Sequence, residues 1–205
     1  TLIAKKFFYS NDFPTYISNT LIIVPPAIKE YWVETLEKFQ LHNYTITTNG
    51  SIHKITDPEK FDLILVDEAH KFRNDTAEAY NELQKLCKTK TRRILKDGSK
   101  ADKKVILISA TPLNNRPEDI ANQVYLFQDA KDSTLEISNL QHFFRKRIDE
   151  YRKLKDNPNI SEIQKGVKEI YREIRDKVIA PLTVRRTRSD LKAHLQYTSD
   201  LEKQE

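Results

Sequence analysis

The sequence predicts an α/β fold: a doubly wound parallel sheet with an appended helical hairpin. Three observations carry that expectation. Short apolar runs recur at 20–24 (TLIIV), 61–66 (FDLILV) and 105–109 (VILIS), with a fourth, YTITT, at 44–48. Each has the length of a strand and is rich in β-branched residues, and a run apolar on both sides fits a parallel sheet covered on each face. Helix-like stretches lie between the runs, and from about residue 138 the pattern becomes helical alone.

The elements follow in order. PAIKEYWVETLEKF spaces Ile28, Trp32, Leu36 and Phe39 at near four-residue intervals, with proline at the start, where a missing N–H costs nothing. DTAEAYNELQKLC opens on Asp75 as an expected N-cap, with Glu78 three residues on. RPEDIANQVYLF repeats the design after the third long run. Alternating strand and helix over about 130 residues is the pattern of a doubly wound sheet. LQHFFRKRIDEYRKLK and EIQKGVKEIYREIRDKVI then read as two amphipathic helices joined by the turn DNPNIS.

Composition narrows the class. Of 205 residues, 38% are hydrophobic and 32% charged, too apolar for a disordered chain. No apolar run approaches the roughly 18 residues of a membrane span. Lone Cys87 has no partner for a disulfide, which favours a reducing, cytoplasmic setting, at the nucleoid in a bacterium. The net charge of +5 is unevenly spread. Lys88 to Lys104 holds 8 basic and 2 acidic residues (8 − 2 = +6), and Arg145 to Lys192 holds 15 and 8 (15 − 8 = +7). Basic segments on an otherwise acidic body point to a polyanion-facing side.

In doubly wound sheets function sits at the carboxyl ends of the strands. Here these ends read Val24-Pro25-Pro26, Asp67-Glu68 and Ser109-Ala110-Thr111. Adjacent acids at a strand end point to different sides and can divide two tasks. In nucleotide hydrolysis one carboxylate holds Mg²⁺ through water, and the other polarises the attacking water and accepts its proton. His70 is placed to bond a neighbouring loop, and Ser109, Thr111, Asn114 and Asn115 stand beside the acids if their strands are neighbours. As isolated strings, DE can equally be a charge cap on the next helix and LISATPLNN a plain turn.

Four segments together resemble the first RecA-like lobe of Swi/Snf-type DNA translocases, members of helicase superfamily two. LIIVPPAIKEYWVETLEKF resembles motif Ia with its tryptophan, LILVDEAHKFRN motif II, LISATPLNNRPEDI motif III, and APLTVRRTRSDL the segment after the family's helical protrusion. TITTNGSI is similar to motif Ib. The resemblance covers residues 20 to 191 in the family's order.

It implies the following roles. Asp67 binds Mg²⁺, Glu68 activates water, and His70 with Ser109, Thr111, Asn114 and Asn115 couples hydrolysis to movement. Pro25, Pro26 and Thr48 contact DNA phosphates, with Arg73 and Asn74 as further nucleic-acid contacts. Arg185 and Arg186 lie at the cleft between lobes. ATP and Mg²⁺ are the implied cofactors, with duplex DNA and a second RecA-like lobe as partners. Residues 1–137 are expected to form the lobe, 138–180 the protrusion and 181–205 a return segment.

The family's Gly-rich phosphate loop has no counterpart here: the glycines are Gly50, Gly98 and Gly166. The resemblance places that loop upstream of Thr1, so these 205 residues alone are expected not to hydrolyse ATP. An RNA helicase and a non-catalytic DNA-binding module with a degenerate ATPase fold are the alternatives. The Thr-Pro-Leu-Asn-Asn stretch and the hairpin weigh against the first, and Asp67, Glu68 and His70 together weigh against the second.

Overall fold

A computed structural model describes residues 19–74, 76–109 and 116–184. Four strands, β1 (Thr20–Val24), β2 (Tyr44–Thr48), β3 (Leu63–Val66) and β4 (Lys104–Leu107), form an all-parallel sheet in the order β2-β1-β3-β4. β1 and β2 coincide with their apolar runs. β3 is shorter than expected at its start, where Asp62 donates its N–H to the Asn19 carbonyl rather than to a ladder partner. β4 is shifted to Lys104–Leu107, because its register with β3 closes at Val66 opposite Leu107.

Helices cover both faces. The α1 helix (Lys29–Lys38) follows β1 behind a single 3₁₀ turn at Pro26–Ile28. It packs Leu36 and Trp32 onto Ile22, Val24, Leu63 and Leu65. On the other face, α2 (Glu78–Lys88) packs Tyr80, Leu83, Leu86 and Cys87 against Leu21, Ile23, Ile64 and Val66. Alternate residues of β1 and β3 thus enter opposite cores, as the period-2 pleat requires. From β1 the chain runs through α1 to β2 on one side, then returns past β1 to β3 and on through α2 to β4. The strand order reverses between β1 and β3, the point at which doubly wound sheets place ligands outside the carboxyl ends of the strands.

The expected cap of α2 is corrected. The helix starts at Glu78, with Ala77 in the cap position and no side-chain cap. The turn is made upstream instead, by the Asn74 carboxamide oxygen, which accepts from the Thr76 N–H (3.1 Å) and hydroxyl (2.8 Å). Asx turns of this kind compete with direct capping.

Three further helices make a second layer: α3 (Pro117–Tyr125), α4 (Leu140–Lys155) and α5 (Ile160–Ile174). Their shared core joins Ile120, Ala121 and Val124 of α3 to Leu140, Phe144, Ile170, Ile174 and the following Val178. The hairpin turn is built as its residues dictate. Asn139 caps α4 by accepting from the His142 N–H (2.8 Å), and Asn159 caps α5 by accepting from the Ser161 N–H (3.0 Å). Arg147, only 9% exposed, bridges the two helices to Glu150 (2.9 Å) and Glu173. After α5 the chain widens into a π-helical turn, Arg175–Ile179, before Pro181. Proline has no N–H for the carbonyl four residues back, and a wider turn accommodates that loss.

The basic stretch between α2 and β4 folds into a small hairpin with an Ile94–Lys100 bridge, and Gly98 takes φ +83° at its turn. Several of its cations close onto acids: Arg92 on Asp57 (2.7 Å), Lys100 on Glu59 (3.1 Å) and Lys90 on Asp102. Much of the positive charge counted in the sequence here therefore meets a local partner. Cys87 is buried among apolar side chains, which pushes its thiol up to about 12 and makes it an inert core residue.

Candidate nucleotide site at the strand ends

The register aligns Ile23, Thr47, Val66 and Leu107 across the sheet, so the residues that follow them share its carboxyl end. Asp67 leaves β3 still tied to β1, its N–H donated to the Ile23 carbonyl at 2.8 Å. It therefore sits at the switch point. Its side chain is held from two directions. The Trp32 indole N–H of α1 donates to Oδ2 (2.8 Å), and the Glu68 N–H donates to Oδ1 (2.8 Å).

Glu68 adopts the left-handed conformation, φ +52° and ψ +45°. A non-glycine residue there costs about 1–2 kcal/mol and reverses the side-chain direction. The Ala69 N–H then donates to the Ile108 carbonyl (2.9 Å), which ties the turn to the exit of β4. The chain closes a 3₁₀ turn over Ala69–Phe72, with Ala69 and Phe72 buried as anchors.

His70 is expected to reach toward the hydroxyls after β4. Its Nδ1 lies 3.0 Å from Glu68 Oε2, a close contact off the axis of a good hydrogen bond. Both side chains are partly exposed, at 34% and 39%. Any Coulombic gain from the pair is therefore small.

Ser109 stands half-buried just after β4. Thr111, Asn114, Asn115, Arg185 and Arg186 lie outside the described residues. On the other side of the switch point, Pro25 is buried and accepts from the Ile28 N–H through its carbonyl (3.2 Å), while Pro26 is exposed at the start of the 3₁₀ turn. Thr48, opposite Val24 in register, donates its hydroxyl to Ser51 (3.3 Å). The two prolines and Thr48 thus occupy neighbouring strand ends. Arg73 is exposed and its carbonyl accepts from the Asn122 carboxamide (2.9 Å). The Asn74 side chain is taken up by the turn before α2.

Among the described residues no cluster of three or more His, Cys, Asp or Glu side chains could cage a metal ion. A single carboxylate at Asp67 suits Mg²⁺, which keeps several waters and takes one or two protein carboxylates together with substrate phosphates. Each Asp67 oxygen accepts one hydrogen bond and keeps a second lone pair for a metal-bound water. The donor set fits the ion.

Residues 41–201 match the SNF2-related domain. The chain belongs to the SNF2-related domain family. Over 127 residues this SNF2-related chain is 29% identical to an ATP-dependent helicase of Bacillus subtilis (strain 168), YqhH, covering 53% of the chain and 20% of that relative. In three dimensions it is similar to the Sulfolobus solfataricus SWI2/SNF2 ATPase core in complex with dsDNA, with a TM-score of 0.58 and 18% identity. The match covers 91% of this chain and 37% of the archaeal one. At that identity the likeness is one of fold, and it agrees with the RecA-like lobe expected from the sequence. No described helix of the SNF2-related chain is long and apolar enough to cross a membrane.

Sequence reading missed one member of the site. Trp32 registers as an apolar residue on the inner face of α1 and as part of motif Ia, yet its indole nitrogen is what holds Asp67. The available signal was that tryptophan buries a donor that must find a partner.

Proposed function

We propose that this SNF2-related chain is the metal-and-water half of an ATP-hydrolysing site in a motor that moves on duplex DNA. The observation that carries the reading is the Asp67–Glu68 turn at the switch point, with Asp67 fixed by two donors and Glu68 twisted away from it toward His70. When bound, Mg²⁺ neutralises charge on the β- and γ-phosphates. Asp67 holds the ion through water. Glu68 orients the attacking water and takes its proton, and His70 beside it belongs to the coupling group. Ser109, Thr111, Asn114 and Asn115 pass the state of the nucleotide onward to α3.

DNA is held along the neighbouring strand ends, by Pro25, Pro26 and Thr48, with Arg73 and Asn74 nearby. The Bacillus subtilis relative described as an ATP-dependent helicase and the archaeal ATPase core solved with dsDNA support this reading. Residues 1–137 serve as the lobe, 138–180 as its protrusion and 181–205 as the return toward a second lobe, with Arg185 and Arg186 at the cleft. The phosphate grip lies outside these 205 residues, so the isolated chain is expected to show no DNA-stimulated ATP turnover. Measurable turnover by it would contradict that placement.

The test of the function is ATPase stimulation of the full-length protein by duplex DNA and by RNA. Duplex DNA should stimulate and RNA should not, and the reverse would favour an RNA helicase. DNA affinity should fall steeply with salt and vary little with sequence, because the contacts are to phosphates. Affinity unchanged between about 50 and 200 mM salt would argue against phosphate contacts.

A further inference from the structure

We infer that Trp32 is a positioning residue for Asp67, setting the carboxylate that faces the metal. The inference rests on the reading of Asp67 given above and adds a residue to it. An aspartate has two torsions, and its second is broad, so a lone carboxylate at a strand end can rotate its oxygens freely. Here each oxygen has its own donor. The Glu68 N–H holds Oδ1 from within the turn, and the Trp32 indole N–H holds Oδ2 from α1, both at 2.8 Å. One donor alone would leave the group free to swing about that bond. Two donors from separate elements fix the plane of the carboxylate, and so the direction in which its remaining lone pairs point.

Both bonds are to an anion, so they are stronger than neutral ones. The indole cannot easily be replaced in this role. It offers one N–H and no acceptor, so it holds the carboxylate without competing for metal-bound water. Its ring is anchored against β1 and β3 in the same core as Leu36, Val24 and Leu65. The donor is thus mounted on the packed body of the lobe rather than on a loop. The 3₁₀ turn that leads into the same helix begins at Pro26, next to the strand ends assigned to DNA.

The test compares Trp32→Phe with the parent in the full-length protein. Phenylalanine keeps an aromatic ring in the core and removes the N–H. The magnesium concentration for half-maximal ATP turnover should rise about tenfold, the scale of one charge-assisted hydrogen bond. Binding of Mn²⁺ together with a non-hydrolysable ATP analogue, followed by electron paramagnetic resonance, should weaken by a similar factor. Nucleotide affinity without metal should not change. A Trp32→Phe protein with parental metal dependence in both measurements overturns the inference. So does one whose turnover falls only in step with a lower melting temperature, since that is a packing role.

Asp67→Asn separates this from the underlying reading. If that variant keeps parental turnover and metal dependence, Asp67 is not the metal-facing group and the site assignment itself falls, whatever Trp32 does. If Asp67→Asn loses metal binding while Trp32→Phe keeps it, only the positioning role is lost.

Discussion

Glu68→Gln in the full-length protein should lower ATP turnover by about 10²–10⁴-fold, the range contributed by a positioned general base. Duplex DNA affinity should stay close to that of the parent. Glutamine has the same shape and can occupy the left-handed position at Glu68 at the same conformational cost, so the turn over Ala69–Phe72 should persist. What disappears is the ability to accept a proton. The contact with His70 also changes from carboxylate to amide, but both groups are partly exposed and the change there is worth little in stability. Steady-state ATPase assays with saturating DNA, beside an equilibrium DNA-binding titration, read the two quantities separately. Turnover near that of the parent would remove Glu68 from the base role, and a parallel loss of DNA binding would mean that the turn itself had collapsed.

The second large effect is structural. Phe144→Ala should destabilise the chain by about 3–5 kcal/mol, the usual cost of truncating a buried phenylalanine. Phe144 is 1% exposed. It meets Tyr125 of α3 edge-on at 5.9 Å between ring centroids and Phe143 at 5.5 Å. Such pairs contribute about 0.5–1.5 kcal/mol beyond burial itself. Against a total stability of about 5–15 kcal/mol, the loss is enough to loosen the α3–α4–α5 layer. The comparison substitution is Tyr31→Ala, at a residue 70% exposed, which should stay within about 0.5 kcal/mol of the parent. Urea unfolding followed by circular dichroism measures both. A Phe144→Ala midpoint indistinguishable from that of Tyr31→Ala would mean that the second layer does not share one core.

Much of the fold can be read from the residues because it rests on local pattern. The runs at 20–24 and 44–48 become β1 and β2 to the residue, and LQHFFRKRIDEYRKLK becomes α4 over the same bounds. Burial on both faces explains the first of these, and amphipathic spacing bounded by Asn139 explains the last. The start of α2 misled because Asn74 and Thr76 form a turn that defers the helix to Glu78, and propensity at Asp75 says nothing of that competition.

The acids at 67 and 68 were legible as a pair at a strand end, yet their geometry was not. The left-handed twist at Glu68 goes with the Ala69 N–H finding the Ile108 carbonyl, a partner just past the end of β4 and 39 residues away. The Trp32–Asp67 bond joins residues 35 apart, and the pairing of Arg92 with Asp57 spans the same separation. Charge counts along the sequence treat such cations as available. Folding decides which of them have already found a counterion.

The way α3 is mounted has a mechanical consequence. This helix is bolted to the lobe by three hydrogen bonds, from the Tyr80 hydroxyl to the Asn122 carbonyl (2.9 Å), from Gln84 to the Tyr125 carbonyl (3.1 Å), and from Asn122 to the Arg73 carbonyl (2.9 Å). Its opposite side is fused into the core of the α4–α5 hairpin. Arg73 ends the turn that carries Glu68, so one end of this linkage touches the site. A 16-residue helix such as α4 is about 24 Å long at 1.5 Å per residue. A tilt of about 5° at its root therefore displaces the far end by about 2 Å. Mounted in this way, the hairpin would turn a small angular change at α3 into a larger translation of its far end.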